Sequence, residues 1–194
     1  MARPREFDID EALDAAMGAF WEGGYEATSM ANLMEAMDLQ KGSIYKAFGD
    51  KHNLFVQALD RYLDAGYGKI RHALEGAGSP TDGVKKWLCF VLGVCCEQNT
   101  RRGCFAVNAI TELGPHDEGV AKRLKQHFDG IERLLANVIE QGQRRGEFRD
   151  DMSAAELSEF LNVYVTGMFT SSKGPHSKTR MRRLSDFAIQ MLTP

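Results

Sequence analysis

The sequence predicts an all-α protein of about nine helices, with a small N-terminal three-helix unit and a larger C-terminal helical unit. Apolar residues recur every three or four positions along most of the 194-residue chain, which is the period of an amphipathic helix. No stretch alternates as a strand would, and capping residues, glycines and prolines divide the chain into helical lengths. We place the first unit at residues 1–63, continue its last helix to about residue 76 as a link, and place the second unit at residues 77–194.

The pattern of residues 28–51 predicts two short helices joined by a tight turn, following a first helix that begins after Asp8. We expect Thr28 to cap the first of the two and the turn to fall at Asp38, because aspartate enters the left-handed region at small cost. Ile44 and Phe48 hold one side of the second short helix, residues 40–48. Its other side combines small, polar, basic and aromatic residues.

Two short helices with such a turn are typical of the helix-turn-helix, whose second helix enters the major groove of DNA. Gly42 costs roughly 1 kcal/mol relative to alanine inside a helix, which favours a position where the backbone approaches DNA closely. Arg3 and Arg5 precede any periodic pattern and form either a disordered tail or an arm for the minor groove. The expected DNA-binding residues are Thr28, Ser29, Gln40, Lys41, Gly42, Ser43, Tyr45, Lys46 and Lys51. The alternative is a helical hairpin with an ordinary polar face.

The charge balance of residues 1–60 does not at first favour this interpretation, since these residues include five Lys and Arg but eleven Asp and Glu. DNA-binding proteins usually present a basic face. Residues 40–52, however, hold three lysines and one acid. We therefore expect a local basic footprint on an otherwise acidic unit.

The segments GYEATSMANL, QKGSIYKAFGDK and LFVQAL resemble, in this order and spacing, the DNA-binding domain of the TetR family of bacterial transcriptional regulators. The resemblance covers residues 5–63 and departs from the family at Asp38, where glycine is frequent. It implies a homodimer that binds a palindromic DNA operator and a C-terminal unit that binds a small effector. It also implies that the last two helices, residues 153–169 and 178–192, form the dimer interface.

The remaining helices follow from their caps and breaks. Asp50 begins the long link helix, and Ser79 with Pro80 begins the next, as N-cap and first helical residue. A short helix spans residues 104–113 and ends at Gly114. A long amphipathic helix spans residues 117–145, and Ser153 opens the helix that follows it.

An effector pocket would need apolar walls and a few polar groups. Asn108, inside the apolar run CFAVNAI, is the leading polar candidate, although a core asparagine bonded to a backbone carbonyl would show the same pattern. We expect an aromatic pocket without a buried charge, suited to a hydrophobic or planar ligand. The inward candidates are Trp87, Phe90, Val91, Cys104, Phe105, Asn108, Phe128, Tyr164 and Met168.

Cys104 has two interpretations. It begins a helix and follows Arg101 and Arg102, and both features favour a thiolate, as expected of a redox-responsive or electrophile-responsive repressor. The other interpretation is a small buried hydrophobic residue. The segment RGCFAVNA resembles one branch of the family in which some members sense oxidants or electrophiles.

Other classes of protein receive little support. The sequence has no Ser/His/Asp order, paired carboxylate motif, glycine-rich phosphate loop or HExxH, so we expect no catalytic residues, metal or cofactor. An all-α small-molecule-binding protein or enzyme remains the alternative. No apolar run approaches the roughly 20 residues of a membrane span, no signal peptide is evident, and four cysteines suit a reducing compartment, which together predict a cytoplasmic protein without a membrane partner.

Overall fold

A computed structural model describes residues 7–96 and 102–194, and within these ranges the chain forms nine helices and no strand. The predicted all-α class is therefore confirmed. Arg3, Arg5 and Arg101, to which the sequence assigns roles, lie outside the described residues. The helices are α1 (Ile9–Gly23), α2 (Met30–Met37), α3 (Lys41–Phe48), α4 (Lys51–Glu75), α5 (Pro80–Cys95), α6 (Phe105–Leu113), α7 (Glu118–Arg144), α8 (Ala154–Ser172) and α9 (Lys178–Gln190).

The helix starts follow the predicted caps with one exception. The side chains of Asp8, Asp50, Ser79 and Ser153 each accept from a backbone amide of the helix that they begin. The prediction that Thr28 caps α2 was wrong, because Ser29 is the cap and forms a reciprocal capping box with Asn32. Two adjacent hydroxyl residues give nearly the same sequence signal, and local pattern alone does not choose between them.

A first hydrophobic core joins α1, α2, α3 and the N-terminal half of α4. Phe20, Leu33, Ile44 and Phe55 are almost fully buried in it. The same core extends into α6 and the first turns of α7. The boundary that we expected between the two units therefore coincides with no gap in packing, and the division into residues 1–63 and 77–194 stays a prediction.

A second core joins the C-terminal half of α4 to α5, α7, α8 and α9. Trp87 on α5 and Leu135 on α7 are fully buried at its centre. Because α4 contributes Leu59 to the first core and Leu74 to the second, this one helix is anchored in both. None of the helices in residues 7–96 and 102–194 combines the length and apolarity needed to cross a bilayer.

Candidate DNA interface and effector cavity

The α2–α3 hairpin is held together by a small set of buried residues and a left-handed turn. Leu33 and Met37 on α2 pack with Ile44 and Phe48 on α3. Asp38 has φ 50° and ψ 43°, as the sequence predicted for the turn, and the Leu39 amide donates to the Met34 carbonyl at 3.1 Å. The opposite side of α3 is thereby left for contacts outside the chain.

The exposed side of α3 carries Lys41, Gly42, Tyr45 and Lys46. Tyr45 is 44% exposed, and the Lys41 ammonium lies 5.7 Å from the centroid of its ring. A Cβ added at Gly42 would meet no atom within 4 Å. Packing within the chain therefore gives no reason for glycine at this exposed helical position.

The other expected DNA-binding residues differ in accessibility. Ser29 and Gln40 are exposed, and Ser43 and Lys51 are half-buried. Thr28 is buried, and its hydroxyl donates to the Gly24 carbonyl at 2.6 Å. This inward hydrogen bond removes Thr28 from the surface that we expected it to share with Ser29.

A cavity of about 740 Å³ opens between α1, α4, α5, α7 and α8, with the residues before α6 closing one side. Most of its wall is apolar, and six aromatic side chains contribute: Trp21, Tyr62, Trp87, Phe90, Phe128 and Phe169. Trp21, Met17 and Asp14 belong to α1. The helix that packs behind the α2–α3 hairpin is therefore also part of the cavity wall.

Two family models match the chain. The model described as bacterial regulatory proteins, tetR family, matches residues 12–58, and the model described as tetracyclin repressor-like, C-terminal domain, matches residues 85–187. The chain belongs to the TetR family. It is thus a helix-turn-helix transcriptional regulator, and its α2–α3 hairpin lies inside the residues 12–58 that the tetR family model matches.

Individual TetR-family proteins agree with this assignment over nearly the whole chain. The transcriptional repressor ComR of Escherichia coli K12 is 33% identical over 190 residues, which are 97% of this chain and 90% of ComR. The regulator CifR, as a cysteine-substituted variant bound to 26-base-pair operator DNA, is 32% identical with a TM-score of 0.86, over 98% of this chain and 100% of CifR. Reduced NemR of E. coli shares the fold at 19% identity, with a TM-score of 0.84 over 95% of this chain and 97% of NemR.

Within the TetR fold, five of the nine expected pocket residues line the cavity: Trp87, Phe90, Val91, Cys104 and Phe128. The other four are placed elsewhere. The Asn108 amide donates to the Arg102 carbonyl at 2.8 Å and accepts from the Lys173 ammonium at 3.0 Å. Asn108 thus matches the alternative that the sequence left open, an asparagine bonded to a backbone carbonyl.

Phe105, Tyr164 and Met168 are also not among the residues that line the cavity. Phe105 packs among the rings of Trp21, Phe55 and Tyr62 in the first core. The Tyr164 hydroxyl donates to the Leu184 carbonyl at 3.0 Å, and Met168 is buried in the second core. The apolar face of each helix is wide enough to contact both the core and the cavity. Hydrophobic periodicity identifies this face but does not tell which of its residues contact the core and which line the cavity.

The cavity wall contains polar residues that the sequence analysis did not select: Asp14, Arg61, Lys69, Arg102, His127, Asn162 and Thr166. Asp14, Arg61 and Lys69 lie on α1 and α4, which we had assigned to the DNA-binding unit and the link. None of the charged residues in this set is buried, so the expectation of a pocket without a buried charge is not contradicted. Within the cavity, burial lowers the pKa of His127 and so favours its neutral imidazole.

Cys104 is buried at the N-terminus of α6. Burial raises the pKa of its thiol, although the Tyr62 hydroxyl at 3.4 Å and the amides of Val107 and Ala106 each act to lower it. The helix N-terminus thus has the expected direction of effect, but desolvation outweighs it. Of the two interpretations of Cys104, its burial matches the small buried hydrophobic residue.

Several polar contacts tie the DNA-binding unit to the rest of the chain. The Glu112 carboxylate, on α6, accepts from the backbone amides of Tyr25 and Glu26, each at 2.9 Å. His52 Nε2 lies 2.6 Å from Asp117 Oδ2. The Trp21 indole donates to the Gly103 carbonyl at 3.0 Å. Movement at α6 or at its flanking residues would therefore act on α1 and on the turn before α2.

Proposed function

We propose that the chain is a homodimeric repressor that binds a palindromic operator through α3 and is released by a small effector in the cavity. The observation that carries the DNA-binding part is the exposed side of α3. It presents Lys41, Tyr45 and Lys46 around a glycine that no packing within the chain requires. Side chains of these types bind base edges and phosphates, and a glycine allows close approach of the two backbones.

Ser29, Gln40, Ser43 and Lys51 complete the proposed DNA-binding surface. Ser29 starts α2, where free amides favour a phosphate. Gln40 precedes α3 and makes no side-chain capping bond, so its amide is available to a base edge. The buried Thr28 is left out of this surface, and its inward hydrogen bond gives it a structural role.

The proposed dimer interface is the exposed apolar face of α8 and α9. Phe160 and Val163 on α8 are 39% and 66% exposed, and Phe187 on α9 is 48% exposed. A patch of this kind marks an interaction surface on a soluble protein. Two copies of α8 and α9 would bury it in a four-helix bundle, and the resulting dimer would hold two α3 helices for the two operator half-sites.

The operator-bound structure of the relative CifR supports the proposal of DNA binding. The test is selection of duplexes from a random pool by the purified protein at moderate salt. We expect recovery of a palindrome whose half-sites lie about one helical turn apart. Enrichment without twofold symmetry would contradict the dimer, and no enrichment would contradict sequence-specific binding.

A thiol-based input at Cys104 is the second candidate, because this residue belongs to the wall of the cavity that an electrophile would enter. The raised pKa of the thiol leaves little thiolate at neutral pH. We therefore place a non-covalent effector first. Operator binding under reducing and non-reducing conditions distinguishes the two inputs, because only the thiol-based one depends on the reductant.

A further inference from the structure

We propose that the effector is an amphipathic organic anion with a planar apolar body, whose anionic group is bound by Lys69. This inference rests on the proposed function, since it names the chemical class of ligand for the effector cavity. The evidence for an anionic ligand is the distribution of charged side chains along the cavity wall. The aromatic lining alone would indicate only an apolar ligand.

The acidic charge of the wall is already neutralised. Asp14 is the only carboxylate among the described residues of the lining. Its two oxygens accept from Nε and Nη2 of Arg61, and Arg61 also donates to Asp10 at 2.7 Å. This bidentate ion pair neutralises the charge of Asp14, and most of the hydrogen-bond donors of Arg61 already have acceptors. Among the described residues of the lining, a cationic ligand therefore finds no carboxylate without a partner.

Lys69 is different, because its ammonium has no ion pair or hydrogen bond among the described residues. The reason lies in the sequence of α4. The positions three and four residues away on the same helix face are Ala65, Gly66, His72 and Ala73, so no carboxylate is within reach on its own helix. Lys69 is an exposed residue, which places it where solvent reaches the wall.

The remaining lining suits the body of such a ligand. Trp87 and Val91 on α5 and Ile131 on α7 are almost fully buried and present apolar surface. His127 is half-buried and favours its neutral form, so it offers a hydrogen bond without a second charge. A volume of about 740 Å³ is large enough for a body of two or three rings.

The experiment compares three probes that share a biphenyl body and differ in charge: biphenyl-4-carboxylate, biphenyl-4-methanol and biphenyl-4-methylamine. Both tryptophans of the chain, Trp21 and Trp87, line the cavity. Calorimetry gives the affinity, and a change in tryptophan fluorescence that scales with the calorimetric occupancy locates the ligand. We expect the carboxylate to bind about two- to fivefold more tightly than the methanol, and the ammonium most weakly, since an ion pair with a solvent-exposed lysine is worth less than one decade in affinity.

The variant Lys69→Gln should reduce carboxylate affinity by about two- to fivefold and leave methanol affinity unchanged. Lys85→Gln, at an exposed α5 position outside the cavity, is the matched control and should change neither. Equal affinities of the three probes, or binding of none at millimolar concentration, would overturn the proposed ligand class. Operator binding by the unliganded protein is measured in parallel. If the unliganded wild-type protein bound no operator, that result would instead contradict the proposed repressor function.

Discussion

The Glu112 carboxylate, on α6, holds the backbone of Tyr25 in the turn between α1 and α2, with the Tyr25 amide 2.9 Å from Oε2 and the next amide 2.9 Å from Oε1. Cys104, at the other end of the same nine-residue helix, lines the cavity. Gly24 has φ 80°, and a Cβ there would lie 2.9 Å from Glu112 Oε2. The backbone of this turn therefore lies directly against the Glu112 carboxylate. Helix α6 thus contacts the cavity at one end and the DNA-binding unit at the other.

Glu112→Gln should therefore weaken the coupling between effector and operator. A glutamine keeps the size but accepts through one oxygen only, so one of the two amides loses its partner. We expect a loss of stability of about 1–2 kcal/mol in urea denaturation and a smaller change of operator affinity on effector addition. Glu140→Gln removes an exposed carboxylate that pairs with Arg144 within α7 and should alter neither property. Unchanged coupling in Glu112→Gln would exclude this carboxylate as the link.

Asp117 should contribute stability that depends on pH. Its pKa is lowered first by the hydrogen bond from the Val120 amide and then by His52. A carboxyl with a lowered folded-state pKa contributes stability above its unfolded-state pKa, and this stability is lost as pH falls through the folded-state value. We therefore expect Asp117→Asn to be less stable than the wild type at neutral pH.

The difference between Asp117→Asn and the wild type should shrink as pH falls from the ordinary aspartate range through the lowered folded-state pKa of Asp117, where the wild-type carboxyl also becomes protonated. Urea denaturation midpoints across this range measure the effect. Asp129→Asn is a matched control, since Asp129 pairs with Lys125 inside α7 and reaches no other helix through that pair. A difference that stayed constant with pH would show that Asp117 acts through its shape and not its charge.

The limits of sequence-based prediction are visible at particular residues. Asp38 and the caps Asp50 and Ser153 were predictable because a turn or helix end is fixed by the residues within one or two positions. Asn108 and Asn162 were not distinguishable in this way. Both lie in apolar helices and face inward, but only the packing of five helices decides that Asn162 meets the cavity and Asn108 meets the Arg102 carbonyl.

Cys104 shows a second limit. The helix N-terminus, a local feature, was correctly expected to lower the pKa of the thiol. Burial is a property of the whole fold, and it reverses the net direction. Charges on the cavity wall were missed for a related reason, because α1 and α4 contribute to the DNA-binding unit and the cavity at once.

The thiol of Cys104 should accordingly react slowly at neutral pH, and its rate should keep rising above its ordinary pKa range. The test follows the reaction with a thiol reagent against pH in a background where Cys89 and Cys96, the two less buried cysteines, are replaced by serine. Tyr62→Phe removes a hydrogen bond that lowers the pKa and should shift the profile further upward. An inflection below the ordinary thiol range would restore the redox-sensor interpretation.

The α3 surface should divide into specific and non-specific contacts. Lys41→Ala or Tyr45→Ala should weaken operator binding by roughly 1–3 kcal/mol if these residues meet bases or a key phosphate, whereas Lys46→Ala should weaken all duplexes about equally. Lys86→Ala, at an exposed position on α5, is the control. Measurement of affinity for the selected operator and for a scrambled duplex separates the two effects. Unchanged affinities in all three α3 variants would show that another surface binds DNA.

The apolar face of α8 should control both assembly and operator binding. Val163→Glu places a charge at the centre of the proposed interface, where burial without a partner is unfavourable. Because Val163 is 66% exposed in one protomer, the helical fold of that protomer should be retained, with an unchanged circular dichroism spectrum. Sedimentation should show a monomer, and operator affinity should fall because two half-sites can no longer be bound together. Asn137→Glu, on an exposed side of α7, adds the same charge elsewhere and should remain dimeric. A dimeric Val163→Glu variant would place the interface on a different face.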